Sequence, residues 1–154
     1  MKPVQQTIFS KGKGNCYAAC LATILELPLE SVSNFCAMKG DWMDQANQWL
    51  SRCDLALWEQ SLAADGSIPG WNALTPGMPV IVSGKSPRGD FFHAVVGVYA
   101  RLPDGRHSLE YIHDPHPDGR FLASAQWATI FLAIHPERVA ALRAVTKESK
   151  DATD

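Results

Sequence analysis

A change of texture near the middle of the chain constrains it most: helix formers at helical spacing dominate the first half. Short β-branched and aromatic runs, cut by Gly, Pro, Asp and Asn, dominate the second. Asn15 precedes Cys16-Tyr-Ala-Ala-Cys-Leu-Ala-Thr-Ile-Leu-Glu26, a pattern that predicts a helix with Asn15 as N-cap and an end before Pro28. A short second helix is expected from about Pro28, with Glu30 in its first turn. A third is expected over about Trp42 to Arg52, where Trp42, Ala46, Trp49 and Leu50 recur on one core-facing stripe. Strands are expected over Leu55 to Trp58, Pro79 to Ser83, Phe91 to Ala100, Ser108 to His113 and Thr129 to Ile134. Helices followed by strands imply an α+β fold rather than alternating α/β. A single domain over residues 1–147 is expected, closed by a helix from Pro136 to Lys147 that carries Val139, Leu142 and Val145 on one face. The remainder, 148–154, is a polar tail expected to fray.

Composition excludes several functions. The 154 residues are 46% hydrophobic and 19% charged, enough apolar material for one core, with no repeat and no linker between domains. A net charge of −2 argues against nucleic acid and anionic membranes as partners. The longest apolar stretches, Ala94 to Ala100 and Ala128 to Ile134, fall far short of the roughly 20 residues that cross a bilayer. The N-terminus lacks the apolar block of a secretory signal, so a cytoplasmic protein, or one exported without a signal, is expected. Cys16, Cys20, Cys36 and Cys53 show no CxxC spacing, which reads as four reduced thiols rather than a zinc site or a disulfide scaffold.

One of these thiols is set up for chemistry. Cys16 follows Gly12-Lys13-Gly14-Asn15 at a helix start, where unpaired N–H groups and the macrodipole favour an anion and so a nucleophilic thiolate. The alternative is a small buried hydrophobe, the reading assigned to Cys20, Cys36 and Cys53. A nucleophile needs a base, and His93 opens the apolar strand His-Ala-Val-Val-Gly-Val-Tyr99. The base needs an orienting acceptor, and Asp114 closes the strand before Pro115. With a two-residue loop at Pro103 and Asp104, paired residues sum to 207, and His93 plus Asp114 is 207. The two would then stand directly opposite on one face, with Cβ atoms roughly 5 Å apart. A three-residue loop with Gly105 as a bulge would shift the sum to 208 and separate them, unless a further irregularity restores the face.

Taken in order, GNCYAAC, HAVVGVY and HDPHP resemble the papain-like cysteine peptidases, closest to the branch of bacteriocin leader-processing peptidase domains. The similarity runs over roughly Gln5 to Ile134, with three short specific motifs. It implies a helical part carrying the cysteine packed on an antiparallel sheet carrying His and Asp. It also implies Cys16 as nucleophile, His93 as general base and acid, and Asp114 as the residue that orients His93. The chain departs from the family six residues before the cysteine, where Ser10 stands in place of the usual oxyanion-donating glutamine. Gln6 is the candidate replacement if the Lys11 to Gly14 loop bulges outward, and a solvated N-terminal arm is the alternative.

His113, Asp114 and His116 lie close enough to suggest a metal, but strand alternation turns His113 away from Asp114 and a turn holds His116, so neither metal nor cofactor is expected. His107 and His135 are read as surface or capping residues, and Lys85 as part of a solvated loop. Asn15, Arg88, Asp90 and Trp71 are candidate substrate contacts, with Trp71 either a cleft wall or a core anchor. The expected chemistry is hydrolysis of a peptide or isopeptide amide in a peptide or protein substrate. Glutamine deamidation or cell-wall peptide amidase activity would use the same triad, and a domain that binds a peptide without cutting it is the alternative of another class.

Overall fold

The computed structural model describes residues 1–68, 74–105 and 107–133. Trp71, His135, the expected closing helix and the tail lie outside the described residues. Two helices, α1 (Cys16–Leu25) and α2 (Trp42–Leu50), precede and cover a five-stranded antiparallel sheet. The strands are β1 (Leu55–Ser61), β2 (Pro79–Lys85), β3 (Phe92–Arg101), β4 (His107–His113) and β5 (Ser124–Ala133), in the order β1-β5-β2-β3-β4.

Helix α1 is buried on nearly every side, from Tyr17 to Thr23. Its alanines let it lie close on the sheet, where Leu21 and Ala22 pack with Ile81, Ala94 and Val96. Glu26 ends it in the left-handed conformation at φ 56°, and Pro28 prevents continuation. The expected second helix is a single 3₁₀ turn, Leu29–Ser31. Helix α2 starts at an unforeseen cap, Asp41, whose Oδ1 accepts from the N–H of Met43 at 2.8 Å and of Asp44 at 3.2 Å. Val80, Val82 and Val95 form a second core on the other face of the sheet, covered by Leu62, Leu74, Met78 and Phe121 from loops and by Tyr111. The expected packing role fits Cys20, which is fully buried, but Cys36 and Cys53 are exposed.

The hairpin register differs from the two-residue loop and has a physical cause. Gly105, at φ 82°, lets the turn close with its N–H on the carbonyl of Leu102 at 2.9 Å, and the first pair is Arg101 with His107, a sum of 208. A bulge at Ile112 then moves the register to Val96 opposite His113, a sum of 209. Continued by one residue, this puts Asp114 opposite Val95 and diagonal to His93 on the same face. Two irregularities thus restore the parity that one alone would have lost.

Candidate active site

The N-terminal segment is no solvated arm. The backbone N–H of Val4 donates to Thr23 Oγ1 of α1 at 3.0 Å, and the Val4 carbonyl accepts from His113 Nε2 at 2.9 Å. The N–H of Gln6 donates to the carbonyl of Pro115 at 2.9 Å, which ties the segment between α1 and the end of β4. Gln6 is 7% exposed and lines the cavity that holds Cys16 and His93. Its Nε2 gives one hydrogen to the Ile8 carbonyl at 3.1 Å, which leaves the second for a ligand. Asn15 holds this arrangement. Its Oδ1 accepts from the N–H groups of Thr7 at 3.0 Å and Ile8 at 2.9 Å, so the side chain neither caps α1 nor lines the cavity.

Cys16 occupies the first position of α1, partly buried, with the N–H groups of Ala94, Tyr17 and Cys16 itself directed at its sulfur. The thiol therefore sits against the His93–Ala94 peptide. Burial nevertheless pushes it above its ordinary 9.0, the three N–H groups pull it back only in part, and the charge of Asp114 adds to the rise. The expectation of a thiolate stabilised at rest is thus corrected: desolvation outweighs the helix terminus.

His93 is 4% exposed, and its Nε2 lies 2.7 Å from Asp114 Oδ1. Burial would raise the Asp114 carboxyl, but His93, the N–H of His116, Arg88 and the N–H of Phe121 together hold it below its ordinary 3.8. An ionised carboxylate only accepts, so Nε2 carries the ring hydrogen and Nδ1 is left with a lone pair to take a proton. Burial drives His93 below its ordinary 6.5 despite the pull of Asp114, and Arg88 and His116 add to the lowering. Burial thus favours the uncharged form of both groups, the thiol of Cys16 and the imidazole of His93.

Asp114 is saturated with donors. Besides His93, it accepts from the N–H of His116 at 2.9 Å, Arg88 Nη2 at 2.7 Å and the N–H of Phe121 at 2.7 Å. Phe121 adopts a positive φ of 55°, a strained conformation for a bulky residue, and in it donates to the carboxylate. Arg88, also paired with Asp118, clamps Asp114 from behind and does not line the cavity, so the structure gives it a positioning place rather than a substrate contact. Asp90 does line the cavity, as does Lys85.

His116 and Glu59 are site residues that the sequence did not reveal. The His116 ring meets the His93 ring edge-on at 6.4 Å, with its own Nδ1 3.0 Å from Asp118 Oδ1. No local pattern signals this, because His116 reaches the site through the turn after Pro115. Glu59, on the far strand β1, lines the same cavity. Among the described residues no three His, Cys, Asp or Glu side chains group to hold a metal ion, and no helix is long and apolar enough to cross a membrane.

The cavity encloses about 890 Å³ and opens beside Cys16, with Tyr17, Trp42 and Trp127 in its walls. Compared with protein-family models, curated proteins and solved structures, the chain has no match.

Proposed function

We propose that this protein is a papain-like cysteine hydrolase that cleaves a peptide or isopeptide amide. The observation that carries the reading is the His93–Asp114 pair at 2.7 Å beside a cysteine at a helix N-terminus, both on one cavity. As Sγ of Cys16 attacks the carbonyl carbon, its proton passes to His93 Nδ1. The backbone N–H of Cys16, released once its sulfur is bonded to carbon, and the free hydrogen of Gln6 Nε2 would serve the tetrahedral oxyanion. Collapse breaks the C–N bond, His93 protonates the departing amine, and a thioester remains on Cys16. Water, deprotonated by His93, then hydrolyses the thioester and releases the acid.

A second reading, peptide binding without cleavage, is favoured by the upward push of burial on the Cys16 thiol. One experiment separates them. A peptide-amide library is incubated with wild type and with Cys16→Ser and His93→Ala, and acylated Cys16 is sought by mass spectrometry. Hydrolysis that both substitutions abolish, with an acyl adduct on Cys16, supports the hydrolase. Binding of peptides without turnover in wild type overturns it in favour of the binding module.

A further inference from the structure

We propose that the cavity contains a subsite for a cationic substrate side chain, lysine or arginine, built on Glu59. The inference rests on the hydrolase reading and names its substrate class.

Alternation along β1 puts Leu55, Leu57 and Glu59 on the face that meets the helices. The first two residues pack into the core beneath α1 and α2, whereas at Glu59 the same face runs out into the cavity. A half-buried carboxylate at the end of an apolar row needs a counterpart. The nearest polar contact is weak: Thr129 Oγ1, across the β1–β5 ladder, donates to Glu59 Oε2 at 3.5 Å. Among the described residues no Lys, Arg or His pairs with Glu59, while burial pushes its carboxyl above the ordinary 4.5. Among the described residues the half-buried carboxylate thus has no cationic partner.

The surroundings match a cation on a carbon stem. Tyr17 and Trp42 meet edge to face at 4.7 Å, and with Trp127 they wall the cavity around Glu59. Aromatic faces attract ammonium and guanidinium groups and also pack their methylenes. A second orphan points the same way. The Tyr17 hydroxyl, on a residue 5% exposed, lies against Thr129 without a hydrogen bond of normal geometry and can accept from a bound cation. Lys11 and Lys85 line the same cavity but are exposed, and neither pairs with Glu59. An apolar substrate side chain of equal length would leave the carboxylate unpaired, which is how a buried polar group rejects an isostere.

The test uses peptide amides that carry Lys, Arg or norleucine at each of the positions before the scissile bond, with wild type and Glu59→Gln. At one position kcat/KM for Lys or Arg is expected to exceed that for norleucine by about tenfold or more. In Glu59→Gln the ratio should fall below about threefold. A ratio near one at every position in wild type, or a ratio unchanged in the variant, overturns the subsite and leaves the hydrolase reading intact. If no peptide is turned over in a Cys16-dependent way, the hydrolase reading fails, and calorimetric titration of the same peptides decides the subsite. Lysine peptides that bind about tenfold tighter than norleucine peptides, with the preference lost in Glu59→Gln, support it, and equal affinities overturn it.

Discussion

Asp114→Asn replaces one carboxylate oxygen with an NH₂ group in a site where every neighbour is a donor, and the outcome can be worked out for each orientation of the amide. With its oxygen kept on His93 and the N–H of His116, the NH₂ faces Arg88 Nη2 and the N–H of Phe121. That loses a charge-assisted bond and a neutral one and buries donors against donors, at a cost of about 4 kcal/mol. With the amide turned over, the oxygen keeps Arg88 and Phe121. The NH₂ then displaces the N–H of His116, at about 1 kcal/mol, and the Arg88 guanidinium, still charged, loses its anionic partner, at about 1 kcal/mol more. The turned orientation is preferred by about 2 kcal/mol. It places a donor on His93 Nε2, so the ring hydrogen moves to Nδ1 and the lone pair that receives the Cys16 proton disappears. The expected melting temperature falls by roughly 4–8 °C for a chain of this size, and turnover falls by about 10²–10⁴. Differential scanning calorimetry and peptide hydrolysis measure the two effects. A variant that keeps wild-type turnover, or whose melting temperature does not move, refutes the reasoning.

Gly84 faces a backbone rather than a side chain: a Cβ there would lie 2.0 Å from the Ser124 carbonyl oxygen, at the bulge between β2 and β5. Gly84→Ala is expected to destabilise by about 3 kcal/mol in a chemical denaturation curve, and an unchanged midpoint would contradict the register. Asn15→Ala removes the acceptor of two N–H groups and should lower stability by about 2 kcal/mol, with a larger fractional loss of kcat than of KM as Gln6 loses its fixed place. Gln6→Ala should reduce kcat by about 10²-fold if its Nε2 serves the oxyanion. Because the folded His93 lies below its ordinary 6.5, the unfolded chain takes up that proton first, so stability should fall as pH drops through 6.5 toward the folded value. Stability measured across that range in wild type and His93→Gln should show a shallower slope in the variant.

The elements were largely legible because α1 and the strands carry strong local periodicity, and β3 begins within one residue of its expected start. The hairpin register was not, since Gly105 and the bulge at Ile112 answer to sheet twist and to the fit of β4 rather than to any local pattern. Cys16, His93 and Asp114 were visible as residue types at element ends. Their support was hidden, because Arg88 reaches Asp114 across 26 positions and Phe121 contributes a backbone N–H that no side-chain pattern reveals. The electrostatics of Cys16 were misjudged for a similar reason: the helix terminus is local and readable, whereas the burial that outweighs it is set by the packed sheet. Glu59 lies one residue beyond the expected strand Leu55 to Trp58, and only the assembled sheet and helices bring it into the cavity wall.

The most direct test of the account is site-resolved alkylation of Cys16 by iodoacetamide from pH 4 to 9, read by mass spectrometry in wild type and His93→Ala. General-base activation of a neutral thiol predicts that Cys16 reacts at neutral pH about tenfold faster than in the variant. It also predicts an acid limb below pH 6.5 that follows His93 and vanishes with it. Equal rates in the two proteins, rising only as the thiol ionises above its ordinary 9.0, would contradict the Cys16–His93 pair and with it the hydrolase.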